Sequence, residues 1–70
     1  MERDNALGVH RAIHRLPEPY REVFTLRIFG QLAFREIAEL FDRTESWARV
    51  TFYRGKKLLL TELEKEDLYG

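Results

Sequence analysis

Apolar residues recur at every third or fourth position through most of this chain, and the recurrence is broken at Leu16-Pro17, at Gly30 and at Asp42-Arg43. That spacing lines one side of an α-helix, where residues three and four apart lie on one face. The breaks therefore divide the 70 residues into four helical segments. A chain of this length forms one small domain, expected here over residues 1–70. It has no cysteine, so neither a disulfide nor a Cys-based zinc site can staple it. Stability must come from helix packing, for which five Phe, three Tyr and one Trp supply bulk. The expected fold class is all-α.

The first segment can be capped by Asp4 or Asn5, and Ala6, Val9, Ile13 and Leu16 form its apolar stripe. Pro17 ends it, because the residue before a proline is pushed out of the α region. Pro19 suits the first turn of the second helix, and Glu18 favours that end electrostatically. Tyr20, Val23, Phe24 and Ile28 share one face, widened by Leu26 and Phe29. Gly30 is the expected left-handed stop. The third segment runs from Ala33 to Phe41, with Phe34, Ile37, Ala38 and Phe41 at i, i+3, i+4 and i+7. Asp42 then tolerates the left-handed conformation that a tight turn needs.

Thr44 is a good N-cap for the fourth helix, expected to run through Leu63 and fray in the tail. Ala48, Phe52, Gly55 and Leu59 fall on one line along it, the core face. Ser46, Val50, Tyr53 and Lys57 lie opposite, flanked by Arg49 and Arg54. A short amphipathic helix, a tight turn and a longer helix with a basic outer face are the parts of a helix-turn-helix. Such a helix fits the DNA major groove and presents side chains to base edges. Ala38 and Ala48 are small residues for the helix crossing. Val50 suits a thymine methyl and Tyr53 a phosphate or a base. An ordinary helical hairpin, basic only for solubility, fits the same periodicity.

Charge gives a divided answer. Twelve Lys and Arg balance twelve Asp and Glu, which argues against nucleic acid as the partner. Yet Arg43, Arg49, Arg54, Lys56 and Lys57 face only Glu45 in their segment, and an acidic tail with Glu62, Glu64, Glu66 and Asp67 follows. His10 and His14 have an i, i+4 spacing that suits zinc, but no third ligand accompanies them, and surface histidines are the better reading. Glu36 and Glu39 read as solvated. Trp47 points between the two faces, towards a neighbouring helix. Nothing resembles a nucleophile motif or a phosphate loop, so no enzyme, no cofactor and no metal are expected. The N-terminus carries no signal-peptide pattern, and no apolar run approaches a membrane span, so the default location is cytoplasmic.

The residues also resemble a known family. Leu16-Pro17-Glu18-Pro19-Tyr20-Arg21-Glu22-Val23-Phe24, followed by Leu26-Arg27, is similar to the opening of region 4 in bacterial sigma factors of the sigma-70 superfamily, in the form carried by the extracytoplasmic-function class. Leu32 to Phe41 resembles that family's first helix-turn-helix helix, and Thr44 to Lys57 stands where its recognition helix stands. The resemblance implies docking in the major groove of the −35 promoter element and binding to the flap-tip helix of the RNA polymerase β subunit. In many members an anti-sigma factor masks the domain. A monomer is expected. The positions that match the family's DNA-facing sites are Arg49, Val50, Tyr53 and Arg54, with Arg35; the cap Thr44 and the outer-stripe residues Ser46 and Lys57 complete the expected DNA-binding set. Arg49 and Arg54 would donate to bases or phosphates, Tyr53 would lie against the backbone or a base, and Arg35 would reach a phosphate.

The departures are local. The family's turn usually reads Gly and then an apolar residue, and here it reads Asp42-Arg43, which removes an apolar plug that Trp47 would have to replace. Val50-Thr51 stands where a Ser-Arg pair is usual. Region 2, which melts and reads the −10 element, has no counterpart in these residues, so the resemblance implies a fragment or a stand-alone domain. Two other readings stay open. One is the output domain of a LuxR-like regulator, which would dimerise through its last helix. The other is a helical protein-interaction module that never touches DNA.

Overall fold

The structure, a computed structural model, describes the backbone of residues 2–69 and the side chains of residues 6–65. It contains α1 (Glu2–His14), α2 (Tyr20–Ile28), α3 (Phe34–Phe41) and α4 (Glu45–Tyr69), with no strand among the described residues. The long α4 is the axis of the fold. It packs against each of the other three helices, and α2 also packs against α3.

The core confirms the fourth helix as read from its periodicity. Ala48, Phe52 and Leu59 are buried, as is Gly55. Val23 and Phe24 from α2, Ile37 and Ala38 from α3, and Ala12, Ile13 and Leu16 from the first segment complete it. Phe24 and Phe52 stack at 5.4 Å between centroids, which locks α2 to α4. At Gly55 α4 approaches α2 closely: a Cβ there would lie 3.3 Å from Tyr20 Cβ.

The connections before α2 and before α4 are built from named hydrogen bonds. Glu18 Oε1 accepts from the Glu22 N–H at 3.1 Å, and Glu18 Oε2 accepts from Arg21 Nε at 2.7 Å. Glu18, expected only to favour that end by charge, thus also accepts a backbone N–H of the first turn of α2, while Pro19 stands at the N-cap rather than in the first turn. Arg21 also donates to the His14 carbonyl at 3.2 Å, which satisfies an oxygen at the end of α1. Between α3 and α4, Asp42 is left-handed (φ 56°, ψ 48°), as its chemistry allows. The Asp42 N–H then donates to Glu39 at 3.2 Å and the Arg43 N–H to Ala38 at 2.9 Å. That pair of bonds closes the carbonyls left open at the end of α3.

Several expectations need correction. The first helix starts at Glu2, so Asp4 and Asn5 lie inside it rather than capping it. Ala6 is exposed, and Ala12 takes its place in the core stripe, at i+3 from Val9 and i+4 before Leu16. Ile28 and Phe29 are 46% and 53% exposed, because they sit at the end of α2 away from the Tyr20 end that α4 crosses. Gly30 is not left-handed; Gln31 is, at φ 57°. Gly30 is needed for a different reason, since a Cβ there would lie 2.6 Å from the Leu26 carbonyl oxygen. Finally, α4 stays helical to Tyr69, beyond the expected end at Leu63.

Candidate nucleic-acid interface

The helix-turn-helix is formed by α3, the Asp42-Arg43 turn and the first half of α4. The Thr44 Oγ1 accepts from the Trp47 N–H at 3.1 Å, the N-cap expected of it. At the start of α3, Glu36 Oε1 accepts from the Ala33 N–H at 2.7 Å. Glu36 is therefore a capping residue and not merely a solvated carboxylate.

Trp47 replaces the missing apolar plug. Its ring meets Phe41 at 5.2 Å between centroids, and the Arg43 guanidinium lies 5.5 Å from it. The tryptophan is half-buried against the end of α3, as its angle on the helix suggested. Arg43, whose polarity looked disruptive at this position, is accommodated over an aromatic face.

Ser46, Arg49, Val50, Tyr53, Arg54 and Lys57 are all exposed on α4, opposite the buried line of Ala48, Phe52, Gly55 and Leu59. Thr44 is exposed at its head, and Arg35 is exposed in the first turn of α3. Thr51, by contrast, is buried and unavailable as a reader. Five of the exposed residues fall into two neighbourhoods. Arg49 and Tyr53 lie beside Phe34 of α3, at 5.1 Å and 6.3 Å from its ring centroid. Arg54, Val50 and Ser46 instead border an open groove of about 520 Å³, closed on its other sides by Tyr20, Arg43 and Trp47. Two arginines at that groove make it attractive to an anionic backbone.

Three neighbours of this face were missed in the sequence. Glu45 Oε2 accepts from Arg49 at 2.9 Å, an i, i+4 pair that the spacing could have revealed. Phe34, read as core alone, carries the guanidiniums of both Arg27 and Arg49 over its ring, at 4.3 and 5.1 Å. Arg27 and Phe34 belong to different helices, so no local spacing announces their meeting.

The other candidates lie elsewhere. His10 and His14 are exposed on α1, and His10 stacks on Phe29 at 5.6 Å. Among the described residues no group of three or more His, Cys, Asp or Glu is placed to hold a metal ion. No described helix is long and apolar enough to cross a membrane.

Comparison with known proteins gives consistent results. The family model described as Sigma-70, region 4 matches residues 6–59. RNA polymerase sigma factor SigV of Bacillus subtilis (strain 168) is 37% identical over 60 residues, covering 86% of this chain. The chain spans about a third (36%) of the length of that relative. No solved structure matches.

Proposed function

The chain belongs to the sigma-70 region 4 family, and from that premise we propose that it reads the −35 element of promoters as the C-terminal domain of an extracytoplasmic-function sigma factor. The family is one of DNA-binding transcription domains and not of enzymes. The observation that carries the reading is the division of α4 into two faces. Ala48, Phe52, Gly55 and Leu59 are buried, which leaves Ser46, Arg49, Val50, Tyr53, Arg54 and Lys57 exposed along one side of a helix presented by a tight turn. A helix so presented can enter the major groove with its first turns against base edges.

Within that reading the residues take distinct roles. Arg49 and Arg54 donate to bases or phosphates. Val50 offers a methyl-sized apolar contact to thymine, and Tyr53 lies against a base or the backbone. Thr44, Ser46, Lys57 and, from α3, Arg35 contact phosphates and set the register. Transcription would also require docking to RNA polymerase through the β flap tip, and an anti-sigma factor would compete for the domain. Exposed Leu7, Ile28 and Phe29 offer apolar side chains to a protein partner and support that part of the reading. The domain would act as a monomer in the cytoplasm. A flap-tip peptide titrated into labelled domain tests the docking, and gel filtration tests the monomer.

A further inference from the structure

Phe34 lies outside the exposed stripe of α4 and yet touches it in two places. It opens α3 and is half-buried, with its ring 5.6 Å from that of buried Phe52. Over the same ring lie the Arg27 guanidinium at 4.3 Å and the Arg49 guanidinium at 5.1 Å. The Tyr53 ring is 6.3 Å away. Arg27 is itself tied down, donating from Nη1 to the Leu32 carbonyl at 2.9 Å. One aromatic ring thus joins α2, α3 and the exposed side of α4.

We propose that Phe34 is a positioning residue for the recognition face, holding the Arg49 guanidinium in the orientation from which it meets DNA. This rests on the reading of α4 as the DNA-facing helix. An arginine on an exposed helix face samples many rotamers, and ordering it on binding costs that freedom. An aromatic face attracts a guanidinium without occupying its N–H donors. The donors of Arg49 therefore remain available to a base or phosphate while the group is already directed. Glu45 also holds Arg49, but by accepting one of those hydrogen bonds, so it must yield to DNA. The ring need not yield. Arg27, itself tied to the Leu32 carbonyl, contacts the same ring from α2.

The test uses the 70-residue chain with Phe34→Leu, Phe34→Tyr, Arg49→Ala and the Phe34→Leu/Arg49→Ala pair. Leucine keeps an apolar side chain and removes the π face; tyrosine keeps both. In the free protein, NMR of the Arg49 side-chain protons should show a ring-current shift in the wild type and in Phe34→Tyr, lost in Phe34→Leu. At low salt, Phe34→Leu should bind duplex about two- to fivefold more weakly, the amount an exposed cation–π contact supports. Phe34→Tyr should match the wild type, and the double variant should bind no more weakly than Arg49→Ala alone. Phe34→Met serves in place of the leucine variant if thermal melting shows that leucine unfolds the domain. Unshifted Arg49 protons in the wild type would overturn the proposal, as would independent, additive losses from the two single variants. A wild type that binds no duplex, despite the shift, would instead remove the DNA reading and this proposal with it.

Discussion

Arg15 Nε donates to Glu62 Oε1 at 2.8 Å, joining the end of α1 to the far half of α4. Lys65 adds a second donor at 3.1 Å, one turn along the helix. The Arg15 hydrogen bond, followed by that of Lys65, holds the Glu62 carboxyl below its ordinary range. A carboxylate with a lowered folded pKa stabilises the fold above its unfolded pKa and loses that effect as pH falls through the folded value. Glu62→Gln should therefore melt earlier than the wild type at neutral pH. The gap should close as pH drops below the usual carboxylate range. A gap that persists into acid would show that Glu62 acts by packing instead.

The two faces of α4 separate in a pair of substitutions. Arg54→Ala should weaken duplex binding by about 1–3 kcal/mol if the arginine reaches a base edge. Its melting temperature should barely change, since Arg54 is exposed. Phe52→Ala should instead destabilise the domain by about 3–5 kcal/mol, as a buried aromatic does. Denaturant titration and anisotropy on the same samples distinguish them. Equal stability losses would mean that the faces are misassigned.

The turn after α2 makes a prediction of opposite signs at neighbouring positions. Gly30→Ala should destabilise by about 1–3 kcal/mol, because its Cβ would press on backbone that cannot move aside cheaply. Gln31→Gly should be neutral or stabilising, because it relieves a left-handed residue that carries a Cβ. Thermal melts of the two variants decide it. If Gly30 tolerated alanine and Gln31 did not tolerate glycine, the described turn geometry would be wrong.

Glu45 stands at the start of α4 and holds Arg49 of its exposed stripe. Glu45→Gln removes a favourable charge at a helix N-terminus, worth about 0.3–1 kcal/mol of stability. The same change releases Arg49 and removes a carboxylate from the path of phosphates. Duplex affinity should rise by about two- to fivefold, the range of an exposed ion pair. A variant that is both less stable and a weaker binder would show that Glu45 supports the interface.

Much of this was readable because α4 is one long amphipathic helix. A single angular period separates Phe52 from Tyr53, and from Ala48 to Leu59 the buried residues are those of the core line together with Thr51. The capping chemistry of Thr44 and the left-handed Asp42 were also local properties of their residue types. Failures arose where tertiary contacts decide. Ile28 shares a face with Phe24 but sits at the end of α2 that α4 leaves uncovered. Gly30 looked like the left-handed residue because glycine adopts that conformation freely, whereas its close approach to Leu26 depends on the fold of the turn. The Arg27–Phe34–Arg49 arrangement spans three helices and has no sequence spacing of its own. Trp47 was placed correctly by angle, but its role over Arg43 and Phe41 needed the geometry of the turn.

If α4 reads promoter DNA through its exposed stripe, binding must depend on both salt and sequence. Fluorescence anisotropy with a duplex carrying a −35 element, and with the same duplex scrambled, tests it most directly across a salt series. Binding should weaken steeply as salt rises, through released phosphate counterions. The −35 duplex should be preferred, and Arg54→Ala should reduce that preference. No binding at low salt, or equal affinity for both duplexes that Arg54→Ala leaves unchanged, would contradict it.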